Sequence, residues 1–437
     1  MFLRAGRWLR YSLLAVSTLL LLGCVSVLYE RAIIPDGHDV LGWSTKPRAS
    51  SSDIVLVMKT GATEALEKLP IHFNTTFASW PKVLVYSDYT EDIQGFTIHD
   101  ALADITPSIR LSHPDFDLWR RLNTYGRSTL RHSELSSSQV KDEESAYGKT
   151  DNAGWRLARF MNLPMVVRAL ADSPNANWYV FIDADTYLSY SNVQKWTAEL
   201  DHTKPIYLGS ETVLYGGIFA HGGSGYILSR SAARRVAQLY TENQREWDEL
   251  ASQPQGGDYT LAMALERIEI PLILSRPLLQ GTEPYSLHFA QDVRGRRLWC
   301  YPAVSYHHVP ADTIQELWNV EQRWTRNQTT ALRPLTHGDV LQSLLSGAER
   351  ADWDNGSEDL VDGSNSDKQW SSQPCREACK ANSTCLQYSF SDQGCRNSVK
   401  VVLGAHKDGT TSGWMTDRIS EQLSASRLCD GSLWPLP

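Results

Sequence analysis

An apolar run that ends in two carboxylates is the feature that most constrains this chain. The stretch NWYVFIDADTYLSYSN covers residues 177–192, and five bulky residues at 178–182 lead directly into Asp183-Ala184-Asp185. A short run rich in β-branched and aromatic residues is typical of a buried strand, and strands buried on both faces occur in sheets that helices cover. The stretch therefore predicts an α/β fold in which two acidic residues follow a strand.

These two aspartates are expected to share one side of the chain. Side chains at positions i and i+2 of an extended strand point the same way, so Asp183 and Asp185 would lie together. Adjacent carboxylates repel unless a positive charge lies between them, and a hard divalent cation such as Mg²⁺ or Mn²⁺ prefers oxygen ligands. Ligands of open α/β sheets bind beyond the carboxyl ends of the strands. The competing interpretation is a pair of solvated loop residues, because Asp-x-Asp also occurs at 115–117 and 352–354 without an apolar run before it.

A second apolar segment lies near the N-terminus. Residues 11–29, YSLLAVSTLLLLGCVSVLY, carry no charge, and three arginines precede them within residues 1–10. A helix of that length extends roughly 28 Å, about the thickness of a bilayer core, and the positive charge keeps the preceding residues cytoplasmic. We expect a signal anchor at 11–29 and a cytoplasmic tail at 1–10. A cleaved signal peptide and a bacterial lipoprotein site at LLGC, residues 21–24, are the alternatives.

The remaining residues indicate a large α/β body. DIVLVMKTG (53–61) and KVLVYSD (82–88) are strand-like runs separated by a helix-length segment. LPMVVRALADSP (163–174) predicts a helix, and the polar residues 107–153 predict long surface loops. The formal net charge of −8 and the lack of a basic block argue against a nucleic-acid partner. The expected divisions are a stem at 30–52, a body at 53–345, an acidic linker at 346–369 and a small module at 370–437.

Cysteine usage predicts a disulfide-rich tail. Apart from Cys24 in the apolar segment, the cysteines are Cys300, Cys375, Cys379, Cys385, Cys395 and Cys429. Five of them lie in the last 63 residues, as a small disulfide-stabilised module requires. A zinc site is the alternative, although paired C-x-x-C knuckles are missing, and the pairing of the cysteines stays open. Sequons begin at Asn74, Asn327, Asn355 and Asn382 and are consistent with a secretory route.

Three further stretches carry residues suited to chemistry. HGGSGYILS (221–229) has glycines through which backbone can approach a ligand, although a tight turn explains them equally well. GGDYTLAMALE (256–266) places Asp258 where a helix is expected to begin, and an N-cap is the alternative role. VSYHHVP (304–310) offers His307 and His308, which are either metal ligands or structural histidines.

Six short stretches, taken in order, resemble the inverting β1,3-glycosyltransferases of the Fringe and core-1 β1,3-galactosyltransferase group. They are VMKTG, VYSD, FIDADTYL, GGSGYILS, GGDYTLA and SYHHV, and the resemblance covers about residues 53–325. The chain is most similar to fungal members with an apple/PAN-like tail, and CREACKANSTCLQYSF itself resembles such modules. The resemblance implies a GT-A fold, a UDP-sugar donor, Mn²⁺ or Mg²⁺, and a lumenal location as a single-pass type II protein of the Golgi or ER–Golgi membrane.

The resemblance also implies roles for individual residues. Asp183 and Asp185 fall in the metal- and diphosphate-binding motif, with Asp185 the direct ligand, and His307 falls at the metal-ligand histidine. Asp258 falls at the catalytic base. Many relatives have a third acidic residue where this chain has Ala184, and the adjacent His308 leaves open which imidazole binds metal. The residues expected beside the nucleotide or donor sugar are Lys59, Thr60, Asp88, Asp183, Gly223 and Gly225.

The function expected from these residues is sugar transfer. A nucleoside diphosphate leaves, a divalent ion stabilises its charge, and one carboxylate removes the proton of an acceptor hydroxyl on a glycan or glycoprotein. Galactose in a β1,3 linkage is the favoured product, as in an N-acetylgalactosaminide β1,3-galactosyltransferase. The alternatives are an inactive lumenal protein that binds carbohydrate or protein, and a metal-dependent hydrolase, which would need more His and Asp ligands than these stretches supply.

Overall fold

The structure is a computed structural model, and its described residues fall in one compact unit, Arg48–Pro437. They are residues 53–136, 152–214, 216–253, 257–327, 332–345, 347–364, 370–425, 429 and 434–435. The expected cytoplasmic tail, signal anchor and stem lie outside them. Within the described ranges, no helix combines the length and the apolar character needed to span a bilayer.

Short strands and helices alternate along the chain. The strands are β1 (Ile54–Lys59), β2 (Val83–Ser87), β3 (Glu91–Ile93), β4 (Phe96–Asp100), β5 (Trp178–Asp183), β6 (Tyr187–Leu188), β7 (Tyr207–Gly209), β8 (Glu211–Leu214), β9 (Gly217–Ala220), β10 (Tyr226–Ser229), β11 (Leu272–Leu274), β12 (Leu279–Gln280), β13 (Asp292–Val293), β14 (Arg296–Arg297), β15 (Ser305–Tyr306), β16 (Glu349–Arg350), β17 (Trp353–Asp354), β18 (Asp359–Leu360), β19 (Gln387–Ser391), β20 (Gly394–Ser398), β21 (Ala405–His406) and β22 (Thr411–Trp414). The helices are α1 (Ala65–Lys68), α2 (Pro70–Phe73), α3 (Thr76–Ser79), α4 (Pro107–Ser112), α5 (Asp117–Tyr125), α6 (Ala153–Ala158), α7 (Asn162–Asp172), α8 (Tyr190–Ala198), α9 (Arg230–Glu242), α10 (Gln244–Ala251), α11 (Gly257–Arg267), α12 (Ala311–Arg326), α13 (His337–Leu344), α14 (Ser372–Ala381) and α15 (Thr416–Ser424).

An eight-stranded sheet organises the body, in the order β11-β7-β10-β5-β1-β2-β4-β3. The four strands β5-β1-β2-β4 form a parallel run within this sheet. The flanking strands β10 and β3 are antiparallel to β5 and β4. The expected strands at 53–61, 82–88 and 178–182 are confirmed as β1, β2 and β5. Since β5, β1 and β2 are parallel, their carboxyl ends meet at one edge of the sheet.

Apolar layers cover both faces of this sheet. Tyr179 and Phe181 of β5 enter one buried cluster, which includes Val166 of α7 and Val236 of α9. The alternate β5 residues, such as Val180, enter a second cluster with residues of α8 and of the segment 65–80. Burial on both faces explains why β5 is continuously apolar. The expected α/β fold is confirmed.

A small three-stranded sheet adds a second support beside the main one. Its order is β12-β15-β6, and Tyr306 of β15 pairs with Tyr187 of β6. The buried carboxylate of Glu321 on α12 accepts hydrogen bonds from the Tyr187 hydroxyl of β6 and from the Ser191 N–H of α8. These bonds connect β6 to α12. This pairing brings the chain after β15 alongside the chain before β6.

Part of the expected surface loop at 107–153 is helical instead. Helices α4 and α5 occupy this stretch, and Leu118 and Leu122 of α5 are buried in the first apolar cluster. They lie four residues apart and therefore share one helix face. The prediction was wrong here because a short apolar stripe was hidden by many charged neighbours. Residues 137–151 lie outside the described residues.

The acidic stretch expected as a flexible linker, 346–369, also carries strands in its described part. Its strands β16 and β18 form the two edges of a five-stranded sheet with order β16-β22-β19-β20-β18. Asn355 is buried, and its Nδ2 donates to the carbonyl oxygens of Tyr388 and Gly413 at 3.1 and 3.2 Å. Because its backbone completes the sheet of the tail, this part of the stretch is not an open linker.

Disulfides join the cysteines of the tail, as predicted. Two bonds lie inside it, Cys375–Cys395 and Cys379–Cys385, and a third links Cys300 of the body to Cys429. The tail is not packed separately from the body. One apolar cluster contains Leu386 and Leu403 of the tail together with Phe289 and Leu317 of the body.

Candidate active site

The carboxyl ends of β1 and β5 bring the first predicted site residues together. Lys59 is the register partner of Asp183 across these two strands, and its Nζ lies 3.1 Å from Asp183 Oδ1. Burial disfavours the charge on Lys59, but the nearby Asp183 and Asp258 hold the pKa of the ammonium above its usual value. The sheet register therefore supplies a cation beside the first aspartate.

Asp185 lies two residues further on and is surrounded by positive groups. Lys68 Nζ lies 3.0 Å from Asp185 Oδ2, and His307 Nε2 lies 3.2 Å from Asp185 Oδ1. His308 Nδ1 is 3.7 Å from Oδ2, and its ring is exposed. Although burial opposes ionisation, Lys68 and His307 keep the pKa of Asp185 well below its ordinary value. Asp185 is therefore a carboxylate at neutral pH.

Asp185, His307 and His308 form a possible metal site. Their ligand atoms lie within 4.8 Å of one another. The 3.2 Å between Asp185 Oδ1 and His307 Nε2 suits two adjacent ligands of one small ion, which would lie about 3 Å apart. Carboxylate oxygen and imidazole nitrogen suit Mn²⁺, so these residues fit the implied ion. Asp183 is paired with Lys59 and is not in this group.

His307 is buried beneath the glycine-rich turn at 222–225. Burial lowers the pKa of His307, but the adjacent Asp185 outweighs burial and raises it above the ordinary value. A Cβ on Gly223 would lie 2.2 Å from His307 Cε1, so only glycine lets the turn approach the imidazole. Gly225 has a φ of +91°, a left-handed conformation that also favours glycine. Steric constraints therefore favour glycine at both positions that the sequence indicated, Gly223 and Gly225.

Asp258 lies on the other side of the same turn, in the first turn of α11. Its Oδ1 accepts from Asn162 Nδ2 and its Oδ2 accepts from the Gly222 N–H, both at 2.7 Å. Burial opposes the charge, but Lys59 and these hydrogen bonds lower the pKa of Asp258 below its ordinary value. The carboxylate is therefore ionised, and each oxygen keeps one lone pair for a further hydrogen bond.

Thr60 and Asp88 follow β1 and β2 at the same edge of the sheet, and both are buried. Asp88 Oδ1 accepts from the Ala62 N–H at 2.7 Å and from the Ser87 hydroxyl at 3.0 Å. Its Oδ2 is buried with no hydrogen-bond partner among the described residues. Burial raises the pKa of Asp88 to about 6. An unpaired buried oxygen is costly unless a ligand group reaches it.

Sequence reasoning missed four residues that the fold brings to this site: Lys68, His72, Asn162 and His221. Glu64, Lys68 and His72 are spaced four residues apart, the spacing of one helix face. That spacing was a usable signal, and the 2.8 Å ion pair between Lys68 and Glu64 follows from it. Asn162 contacts Asp258 across 96 positions, so no local pattern could indicate it.

His72 holds the peptide between the two aspartates. Its Nε2 lies 2.8 Å from the carbonyl oxygen of Ala184, and its Nδ1 lies 2.9 Å from Thr76 Oγ1. A carbonyl oxygen only accepts, so Nε2 carries the proton and Nδ1 accepts from the threonine hydroxyl. Burial lowers the pKa of His72 to about 4, which agrees with this neutral form. The imidazole therefore fixes the orientation of the Asp-Ala-Asp turn.

Two carboxylates, two lysines and a histidine lie close together at the carboxyl ends of β1 and β5, and the glycine turn contacts both this histidine and a further carboxylate, Asp258. Residues 123–328 match the Fringe-like family model. This Fringe-like region contains Asp183, Asp185, the turn at 222–225, Asp258 and His307. Lys59, Lys68, His72 and Asp88 precede it in the chain.

A glycosyltransferase is among the solved structures that match this chain. It is described as the crystal structure of a glycosyltransferase involved in the glycosylation of the major capsid of PBCV-1. It is 12% identical over 60% of this chain and 98% of its own, with a TM-score of 0.28. A similarity of that size does not establish a shared fold.

Proposed function

We propose that this chain is a metal-dependent inverting glycosyltransferase with a GT-A fold. It would move a hexose, with galactose the favoured choice, from a UDP-sugar to a hydroxyl of a glycan or glycoprotein in a β1,3 linkage. The observation that carries the proposal is that the turn at 222–225 contacts two different charged groups. Asp258 contacts it at Gly222, and His307, which pairs with Asp185, contacts it at Gly223. The match of residues 123–328 to the Fringe-like family supports the same reaction.

The leaving group belongs on the side of Asp185. A divalent cation held by Asp185 and His307, with His308 beside them, would supply Lewis-acid stabilisation of the departing diphosphate when bound. Lys59 and Lys68 are ammonium groups at neutral pH and add positive charge there. Thr60 and Asp88 border the same edge, where the buried Asp88 Oδ2 is available to a hydrogen-bond donor of the nucleoside. These residues bind and orient the donor.

The attacking hydroxyl belongs on the side of Asp258. Inversion requires attack from the face opposite the leaving group, and a carboxylate within hydrogen-bond reach can accept the proton as the new bond forms. The Gly222 N–H and Asn162 Nδ2 hold both oxygens of Asp258 in place. A preoriented, ionised carboxylate suits this role. The linkage, the acceptor and a position in the Golgi or ER–Golgi membrane through residues 11–29 remain part of the proposal.

Asp185→Ala tests the metal side, with Asp117→Ala as its matched control. Asp117 also belongs to an Asp-x-Asp triplet, but it is exposed and pairs only with Arg121 among the contacts described. We expect Asp185→Ala to lose Mn²⁺ binding, measured by electron paramagnetic resonance, and sugar transfer from a panel of UDP-sugars. Asp117→Ala should retain both. Full transfer in excess chelator would reject the metal role.

The same assay separates the two other candidate functions. A binding protein would bind a UDP-sugar or glycan and release no UDP with or without acceptor. A hydrolase would release UDP at the same rate whether or not an acceptor glycoside is present. A transferase releases UDP faster when the correct acceptor is added and forms a linked product.

A further inference from the structure

His221 lies at the proposed reaction centre, and the proposed function assigns it no role. It follows β9 directly and precedes Gly222, whose N–H donates to Asp258. The centroid of its ring lies 5.3 Å from that of His307. His221 therefore lies next to the attacking side of the site and next to the leaving-group side.

The hydrogen bonds of His221 define which ring nitrogen carries a proton. The Ser224 N–H lies 3.1 Å from His221 Nδ1, and the Ser224 hydroxyl lies 2.8 Å from the same nitrogen. A backbone N–H only donates, so Nδ1 accepts and the proton of a neutral ring is on Nε2. An Nδ1 that accepts from a backbone N–H carries no proton itself, so the ring in this arrangement is neutral. No partner of Nε2 lies among the described residues.

The surroundings of the ring indicate which ligand group Nε2–H would meet. The diphosphate is expected beside Lys59 and Lys68, which already supply charge. A neutral N–H donor adds no charge and suits a neutral oxygen such as a hydroxyl. In a displacement with inversion, the sugar ring lies between the attacking group and the leaving group. A residue adjacent to both Asp258 and His307 therefore faces the sugar.

We propose that His221 donates Nε2–H to a hydroxyl oxygen of the sugar that is transferred, and that it thereby selects the donor sugar. This inference rests on the proposed function, because it takes the ligand to be a UDP-sugar. Ser224 is the positioning residue: it holds the imidazole through Nδ1 and leaves Nε2–H for the ligand. The hydrogen bond adds to recognition of the sugar and leaves recognition of the nucleotide unchanged.

Two variants of His221 separate contact with the sugar from support of the turn. In His221→Asn, the amide oxygen can take the place of Nδ1 and accept from the Ser224 N–H, but no group replaces Nε2–H. In His221→Gln, the longer side chain places an N–H near the position of Nε2. The affinities of the parent and both variants for UDP and for UDP-galactose, UDP-glucose and UDP-N-acetylglucosamine would be measured calorimetrically with Mn²⁺ present.

We expect His221→Asn to weaken binding of the UDP-sugar that the parent prefers by about tenfold, the usual worth of one hydrogen bond in a partly buried site. Its affinity for UDP should stay within about twofold of the parent, and His221→Gln should recover most of the lost affinity. Equal loss for UDP and UDP-sugar, no loss in His221→Asn, or loss in His221→Gln alone would overturn the inference.

These outcomes also distinguish the inference from the proposed function. A parent that binds UDP-sugars and transfers none would refute the proposed activity, while the binding measurements would still judge His221. A parent that transfers sugar with His221→Asn at the parent affinity would refute only the role of His221. A parent that does not bind UDP at all would refute both.

Discussion

Asp258 accepts one hydrogen bond on each oxygen, and this limits what a substitution there can do. Asp258→Asn replaces one acceptor with an NH₂ group, which would face a donor if nothing else moved. The neighbouring Asn162 can resolve the conflict, because its Oδ1 has no partner among the described residues. A rotation of the Asn162 amide by half a turn would present Oδ1 to the new NH₂ group.

We therefore expect Asp258→Asn to fold and to bind UDP like the parent. Transfer should fall by roughly 10²–10⁴-fold, the usual contribution of a general base. Transfer rates and UDP affinities are the measurements. The double variant Asn162→Leu/Asp258→Asn is the companion, because it removes the Asn162 amide whose rotation accommodates the new NH₂ group. Transfer by Asp258→Asn at near the parent rate would leave Asp258 without a catalytic role.

His72 predicts how acid acts on stability. Its pKa is about 4 in the folded chain against an ordinary value of 6.5, so the unfolded chain binds the proton more readily between these pH values. The stabilisation is complete above pH 6.5 and is lost as the pH falls from 6.5 to 4, on the order of 3 kcal/mol. Asp88, with a pKa raised to about 6, acts in the opposite direction.

A comparison with His72→Gln isolates this effect, since Gln can still donate to the Ala184 carbonyl but does not titrate. The free energy of unfolding, measured by denaturant titration at several pH values from 4 to 7, should fall less steeply with acid in the variant than in the parent. His337, also buried with a pKa lowered to about 4, is an independent second source and His337→Gln should act alike. Identical slopes in all three proteins would contradict the assignment of these histidines as neutral.

The acidic and histidine residues of the site were indicated by the sequence because each stands in a short, ordered motif. Lys68 and His72 were not, since they become part of the site only where the segment after β1 packs against the Asp-Ala-Asp turn. Their contacts with residues 184 and 185 span more than a hundred positions. Pairwise contacts of that kind leave no local trace in one sequence.

At the level of elements, the turn at 222–225 contacts two functional groups of the site, Asp258 and His307. A Cβ on Gly222 would lie 2.4 Å from Asp258 Oδ1, and one on Gly223 would lie 2.2 Å from His307 Cε1. The two adjacent glycines therefore contact different functional groups, Gly222 contacting Asp258 and Gly223 contacting His307. Because these glycines have no side chains, the backbone of the turn can lie close to both groups.

We expect two neighbouring alanine substitutions to fail in different ways. Gly223→Ala should displace His307 and weaken Mn²⁺ binding, whereas Gly222→Ala should displace Asp258 and lower transfer with Mn²⁺ binding retained. Gly281→Ala is the control, because its nearest atom, Ser224 Oγ, would be 3.4 Å from the new Cβ, an ordinary contact. Mn²⁺ titration and transfer assays on the three variants test this. The same defect in both turn variants would argue against a division of the site at this turn.

Strands were easier to predict than the polar helices and edges. The runs that became β1, β2 and β5 are apolar on both faces, so composition alone marks them. Helix α5 buries one stripe only, and β16 and β18 are two residues each within an acidic stretch. Such short edge strands are held by backbone hydrogen bonds to the tail sheet, which composition does not encode.

At the level of the whole molecule, the tail and the body share one apolar core, so they should unfold together. Leu403 of the tail is buried in that core, whereas Leu360 of the acidic stretch before it is 43% exposed. Leu403→Ala should lower the free energy of unfolding by about 2–5 kcal/mol. Leu360→Ala should change it by less than about 0.5 kcal/mol.

The measurement is denaturant unfolding followed both by tryptophan fluorescence and by UDP binding. Coincident transitions that shift together in Leu403→Ala are the expected result. A fluorescence transition at a denaturant concentration where UDP binding persists would show that the tail unfolds independently of the body. The cysteine count predicted disulfides in the tail, but only the fold shows that Cys300 of the body is one of the partners.

The bond between Cys300 and Cys429 closes a covalent ring with a sequence separation of 129 residues. Every peptide bond between the two cysteines lies inside that ring. A protease that cuts once in the acidic stretch at 346–369 would therefore leave both fragments attached to each other. The nicked protein would migrate as one species in a denaturing gel without reductant and as two when thiol is added. Proteolytic shedding of the tail would require a cut in the acidic stretch together with either reduction of this bond or a second cut between Cys395 and Cys429.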